Sequence, residues 1–296
     1  MKILVLSGGN SPERQVSLRS GKSVSAALEE SGHNVRHYDP ANGYAGLDDF
    51  IGQVDVVFPI LHGAGGEDGE IQKELDARGF KYLGSDAKAS ELCFDKVATK
   101  DLLDKLGMLT PRSEIVGSSE FETSPIKASG RYVLKPIEGG STIDSFIVKD
   151  AADQVELDIF NQYPKMLLEE LIEGNEITVP VLGDKALPVI EIIPPAGKDF
   201  DYENKYNGQT QELCPPKNIN SELQSQAQEI AEKLHRAAGV RHLSRTDIII
   251  DSDNKLWVLE INTMPGMTDQ SLFPKAAAVS GVSMSALVDR FVQMAL

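Results

Sequence analysis

Between Ser244 and Asn262 two apolar runs flank an acidic turn, and this arrangement leaves the chain little choice of local fold. Residues 246–251 and 256–261 each have the length of an ordinary strand, and Asp251-Ser252-Asp253-Asn254 near their junction is turn sequence. The pattern predicts an antiparallel hairpin. Side chains two apart in a strand share a face, so Arg245 and Asp247 project together from the first strand, and Glu260 and Asn262 from the second. One arginine, two carboxylates and one amide then stand on a common face. Magnesium takes few protein oxygens and completes its octahedron with water and phosphate oxygens. Asp247, Glu260 and Asn262 therefore read as ligands for two such ions bridging ATP. Either strand alone is equally an ordinary solvated hairpin; the run Thr263-Met264-Pro265-Gly266-Met267-Thr268 that follows favours the functional reading.

The rest of the chain predicts what surrounds the hairpin. A length of 296 residues suits two or three packed subdomains. The first eighty-odd residues alternate strand and helix: a buried strand at Ile3–Leu6, an amphipathic helix over Pro12–Glu30, a second strand at Asp55–Leu61 and a helix around Glu70–Ala77. Such alternation predicts a Rossmann-like parallel sheet with polar loops, here 7–14 and 62–70, at the strand ends. A helical stretch follows at 85–107. Short strands are expected at 132–135, 145–148 and 166–171 around a helix near 153–163, forming an α+β unit that ends close to Glu176. Further strands are expected at 177–182 and 187–193, a helix over 221–238, the hairpin, and a closing helix from Ser283. The polar segment 194–218 reads as a lid, because long structureless stretches inside a compact domain usually serve binding. The expected division is 1–88, 89–176 and 177–296, in the α/β class with α+β subdomains.

Composition excludes several functions. A net charge of −16 argues against a nucleic-acid surface. No apolar run approaches the roughly 20 residues that span a bilayer, so no membrane association is expected. Met1–Gly9 is a first strand and turn rather than a secretion signal. Two cysteines, Cys93 and Cys214, make neither a disulfide framework nor a zinc site and fit a reducing, cytoplasmic setting. The acidic excess means that an ATP site must concentrate its lysines where the phosphates lie.

The series Arg-x-Asp…Glu-x-Asn-x-x-Pro-Gly-Met-Thr over residues 245–268 resembles the C-terminal signature of ATP-grasp ligases of the D-alanine–D-alanine ligase family. Three more motifs in the same order extend the resemblance across the chain. Gly8-Gly9-Asn10-Ser11-Pro12-Glu13-Arg14 is similar to the family's N-terminal motif and His62–Gly69 to its second loop. Asp201–Tyr206 is similar to its lid, while Ser271-Leu272 closes the last motif. The resemblance implies an ATP-grasp architecture and ligation of two D-alanines through an acyl phosphate and a tetrahedral intermediate, for peptidoglycan precursors. It also implies ATP as a substrate, two Mg2+ that Mn2+ can replace, and a homodimer.

Roles carry over by resemblance. Lys96, Lys135 and Lys205 reach the phosphates. Glu169, Ile172 and Glu176 hold the adenine and ribose side of the nucleotide. Glu13 pairs with the ammonium of the first D-alanine, and His62 lies beside it. Arg245 and the backbone N–H of Gly266 stabilise the oxyanion. Ser271 and Leu272 receive the second D-alanine, while Glu13, Ser141 and Tyr206 form a chain that closes the lid. The loop Glu138-Gly139-Gly140-Ser141-Thr142-Ile143-Asp144 departs from the family's Arg-Glu-Gly-Ser-Ser-Val-Gly, and Asp144 is expected to place negative charge near phosphate. His242-Leu243-Ser244 and Met264 also depart, in supporting positions. Rival readings are a D-alanyl-D-lactate or other ATP-grasp carboxylate–amine ligase, and a weakly active nucleotide-binding regulator. A dinucleotide-binding protein fails because Gly8-Gly9 lacks the spaced glycines of that fingerprint.

Overall fold

The computed structural model describes residues 1–150, 153, 155–195 and 209–296. Its N-terminal layer is a parallel sheet of β1 (Lys2–Leu6), β2 (Asn34–Tyr38) and β3 (Val56–Pro59), ordered β2-β1-β3. Helices α1 (Arg14–Glu30) and α2 (Glu70–Ala77) complete the expected βα alternation. Successive strand residues point to opposite faces, and both faces are apolar. Ile3, Val5 and Phe58 pack toward the C-terminal helices, whereas Leu4, Leu6 and Val57 pack on α2 through Ile71 and Leu75.

The helical stretch near residues 85–107 is broken in two: α3 (Ala87–Phe94) and α4 (Lys96–Leu106). Asp95 makes the break. Its backbone is extended, and its carboxylate accepts from the N–H groups of Val97 and Ala98 at 2.8 and 3.0 Å, capping α4.

A small antiparallel sheet follows, ordered β4-β7-β5-β6, from β4 (Ser113–Val116), β5 (Tyr132–Pro136), β6 (Phe146–Val148) and β7 (Met166–Glu170). Helices α5 (Ser118–Thr123), α6 (Pro125–Ala128) and α7 (Ile159–Gln162) cover one face. The helix expected over 153–163 is a correction: among the described residues only the single turn of α7 is helical there.

A larger sheet runs β11-β10-β8-β12-β13, with β8 (Asn175–Leu182), β9 (Lys185–Ala186, paired to β8), β10 (Ile190–Ile193), β11 (Gln211–Leu213), β12 (Leu243–Ile250) and β13 (Leu256–Asn262). β11 lies inside the segment expected to be structureless, which is a second correction. Helix α8 (Ser221–Ala237), capped by Asn220, lays Leu223, Ala227, Ala231 and Leu234 on this sheet. Ala89, Cys93 and Leu103 of α3 and α4 join the same core. Helices α9 (Leu272–Val279) and α10 (Met284–Met294) bring Phe273 and Phe291 against Phe58 of the parallel sheet. Each such buried side chain stabilises the fold by roughly 1.5–3 kcal/mol before entropy is counted.

Candidate active site

A cavity of about 500 Å³ separates the two antiparallel sheets. Val133 and Lys135 line it from the small sheet, and Asp247, Ile249, Leu259 and Glu260 from the large one. Leu171–Gly174 closes one side as the chain crosses from β7 to β8. Gly174 is obligatory in this crossing, because a Cβ there would lie 2.1 Å from the carbonyl oxygen of Ile250.

The floor is the predicted hairpin. Arg245 pairs with Asn262, and Asp247 with Glu260, directly across the ladder. Ile248 and Ile250 point into the core, so strand alternation leaves Arg245, Asp247 and Ile249 on the cavity side. A bulge after Asp247 shifts the pairing, so that Ile248 faces Val258 and both Leu259 and Glu260 reach the cavity. Asp247 is fixed by the Arg245 fork, with Nε and Nη2 donating at 2.9 and 2.8 Å, and by the Thr178 hydroxyl at 2.5 Å. Among the described residues Glu260 has no hydrogen-bond or ion-pair partner, and no cluster of three His, Cys, Asp or Glu side chains could hold a metal by itself. Two carboxylates and an amide, all hard oxygen donors, with an unpaired carboxylate facing the cavity, fit a magnesium ion whose remaining ligands come from phosphate and water.

The opposite wall carries cations. Lys135 Nζ is 2.6 Å from Glu169 Oε2, and Lys96 Nζ donates to the carbonyl oxygen of Gly139 at 2.7 Å. Burial lowers the pKa of Lys96, opposed by the nearby Glu260 carboxylate. The loop after β5 holds three non-glycine residues in the left-handed region: Ser141, Thr142 and Asp144, with φ of 53°, 60° and 54°. Such backbone costs of order 1–3 kcal/mol per residue and persists where surroundings enforce it. Ser141 Oγ donates to Glu13 Oε1, joining this loop to the start of α1. Asp144 does not point at the cavity's phosphate side as the sequence suggested: its Oδ2 accepts from Tyr163 Oη at 2.6 Å and from Gln162 Nε2 at 3.2 Å. The charge is spent on tying the loop to α7.

The N-terminal loops complete the far end. The Glu13 carboxylate is so closely packed that a Cβ on Gly63 or Gly140 would lie 3.0 Å from Oε2. His62 is buried; its Nδ1 lies 3.1 Å from the Met264 carbonyl oxygen, so that nitrogen donates, and Nε2 accepts from Ser20 Oγ at 3.3 Å. Burial pushes its pKa down to about 4, so it is a neutral scaffold bonded on both sides. Glu67, quoted above only as part of the 62–69 loop, accepts from Gly63 N–H at 2.8 Å, and burial together with Glu13 raises its pKa to about 8. Thr178 and Lys100 were missed as well, the first inside an apolar strand and the second on a helix surface pattern.

Gly266 and Ser271 touch: a Cβ on Gly266 would be 2.9 Å from Ser271 Oγ, which accepts from Thr268 N–H at 3.0 Å and lies 2.8 Å from Thr268 Oγ1. Ser271 is the N-cap residue of α9. Leu272 turns its side chain into the core beside Met264 and Phe273. Ile172 and Glu176 line the cavity near the crossing, while Lys205 and Tyr206 lie outside the described residues.

Comparison with known proteins agrees with this fold. The family model "D-ala D-ala ligase C-terminus" matches residues 118–293, and "D-ala D-ala ligase N-terminus" matches 41–85. The D-alanine--D-alanine ligase of Syntrophobacter fumaroxidans is 40% identical over 307 residues, covering 100% of this chain and 98% of that protein. The crystal structure of the Bacillus anthracis D-alanine--D-alanine ligase complexed with ATP superposes with a TM-score of 0.85 at 29% identity, over 100% of this chain and 97% of that one. The VanG D-Ala:D-Ser ligase of Enterococcus faecalis gives 0.82 at 25% identity, over 100% and 99%. Two antiparallel sheets closed on a cavity, with lysines on one wall and a carboxylate hairpin on the other, define an ATP-grasp ligase. Within that class, the chain belongs to the D-alanine–D-alanine ligase family.

Proposed function

We propose that the chain joins two D-alanines to D-alanyl-D-alanine at the expense of ATP. The observation that carries this reading is the direct pairing of Asp247 with Glu260 on the floor of a cavity whose facing wall presents Lys135. ATP lies with its base against the crossing at Glu169 and Ile172, its ribose at Glu176, and its phosphates between Lys96, Lys135 and Lys205. Asp247, Glu260 and Asn262 hold magnesium, which when bound neutralises phosphate charge.

Glu13, clamped by Gly63 and Gly140 and hydrogen-bonded by Ser141, binds the ammonium of the first D-alanine, with His62 behind it as a neutral support. A carboxylate oxygen of that D-alanine attacks the γ-phosphorus and ADP leaves. The amine of the second D-alanine attacks the resulting acyl carbon, and the tetrahedral species expels phosphate. Arg245 and the Gly266 N–H supply fixed donors to the oxyanion, an arrangement worth about 10²–10³ in rate per donor in acyl transfer. Ser271 and the Leu272 backbone take the carboxylate of the second D-alanine. Ser141 and Tyr206, through Glu13, close the lid. A homodimer working in the cytoplasm is part of this proposal, and light scattering checks the dimer.

The test is an assay with purified protein, ATP and magnesium. D-Alanine releases phosphate and yields dipeptide, and L-alanine gives little. Phosphate release coupled to D-lactate or D-serine in preference to a second D-alanine would move the reading to a different second substrate; ATP binding with no turnover would move it to a regulator.

A further inference from the structure

Behind the cavity wall lies a charged side chain that none of these roles uses. Lys100, on α4, donates from Nζ to Glu169 Oε1 at 2.6 Å and to Thr110 Oγ1 at 2.9 Å. The other oxygen of Glu169 lies 2.6 Å from Lys135 Nζ. The three side chains are enclosed, with exposures of 9% for Lys100, 3% for Glu169 and 11% for Lys135. Lys135 and Glu169 line the cavity on adjacent strands of the small sheet. α4, through Leu103, belongs to the core of the large sheet, so the Lys100–Glu169 pair joins the cavity's two walls.

One buried carboxylate between two ammonium groups carries a surplus positive charge, and only Lys135 can reach into the cavity. When phosphate draws Lys135 away, Glu169 gives up one partner. If Lys100 is present, the carboxylate stays paired; if not, moving Lys135 strands a buried charge, the costliest arrangement for an ion pair. Burial alone raises the pKa of Glu169, and Lys135 and Lys100 together outweigh it and hold it low, consistent with an ionised carboxylate that needs a partner.

We propose that Lys100 is a positioning residue for the nucleotide: it keeps Glu169 paired so that Lys135 can leave that carboxylate and bind the ATP phosphates. The proposal rests on the nucleotide reading of the cavity, and wild-type ATP binding is therefore measured first; its failure overturns that reading rather than this one.

Titration calorimetry then compares ATP with adenosine, which has no phosphate to draw Lys135. Lys100→Met raises the Kd for ATP roughly ten- to hundredfold and leaves adenosine within about threefold, while Lys100→Arg retains most of the ATP affinity. In a Glu169→Gln background no carboxylate can be stranded, so adding Lys100→Met costs less than about threefold in ATP affinity. Equal weakening toward ATP and adenosine, or an undiminished penalty in the Glu169→Gln background, would show Lys100 to be a structural staple only. If Lys100→Met does not fold, Lys100→Gln, which keeps a polar end beside Thr110, takes its place: a loss confined to ATP is expected, and equal weakening toward ATP and adenosine contradicts the proposal.

Discussion

The two walls of the cavity hold their charges by different physics. On the hairpin, Arg245, Asp247, Glu260 and Asn262 are placed by strand register: one ladder sets all four, and a bulge adjusts where Glu260 points. On the facing wall, Lys96, Lys135 and Ser141 come from a helix end, a strand and a loop in left-handed backbone, and they are held by side-chain bonds to Gly139, Glu169 and Glu13. Register is rigid and local, whereas buried ion pairs exchange partners when a new charge arrives. The hairpin is thus suited to fixing a metal, and the lysine wall to adapting as phosphates enter and leave.

The largest effect is expected on the rigid side. Glu260→Gln should lower kcat by at least about a hundredfold, since several kcal/mol of charge stabilisation depends on the metal it holds, while circular dichroism and melting stay near wild type. Unchanged turnover would remove Glu260 from the metal site and erase the contrast between the walls. Gly266→Ala is next. Its Cβ would displace the Ser271 hydroxyl from Thr268, so KM for the second D-alanine should rise about tenfold, as for the loss of one charge-assisted hydrogen bond. Gly266→Ala added to Ser271→Ala should cost little more, and full additivity of the two would show that they act separately.

How much of this could be read in the sequence follows the same division. The hairpin was legible because period-two alternation converts residue spacing directly into a shared face, and the parallel sheet because its strands are continuous apolar runs. β2 and β4 escaped notice: Asn34–Tyr38 and Ser113–Val116 are edge strands with most residues partly or fully exposed, so their composition reads as loop. The helix expected at 153–163 is reduced among the described residues to one turn, because Val155, Ile159, Phe160 and Tyr163 reach the small-sheet core without a continuous helix. Behind the lysine wall, Lys100 sits in a helix where a lysine signals solvent, and only the reach of its side chain from α4, packed on the large sheet, to Glu169 of the small one reveals its partner. Asp144, a departure from the family loop, is expected to bring negative charge near phosphate, but its direction depends on Tyr163, nineteen residues further on.

Two buried imidazoles and a half-buried one give a pH test of the scaffold. His62, His235 and His242 have pKa values lowered by burial from 6.5 to about 4. Each therefore contributes stability that is full above pH 6.5 and is lost as the pH falls toward 4. Glu67, raised from 4.5 to about 8, acts oppositely, its contribution being lost as pH rises through that range. Between pH 6.5 and 4.5 the unfolded chain should bind a net of up to about two more protons, so stability measured by denaturant titration should fall on acidification. A flat profile would mean that the histidines are not buried as described. The smallest effect belongs to the adaptable wall: Tyr163→Phe removes one hydrogen bond to Asp144 and should raise KM for ATP by about threefold with kcat nearly unchanged. A loss in kcat instead would mean that the loop's tether governs the chemistry.

In the proposed reaction the hairpin and the lysine wall together activate a D-alanine carboxylate by phosphorylation. D-Alanine labelled with 18O in both carboxylate oxygens tests it directly, with the released phosphate analysed by mass spectrometry. One 18O is expected in each phosphate formed and one in the new peptide carbonyl. Dipeptide formed with unlabelled phosphate would contradict it.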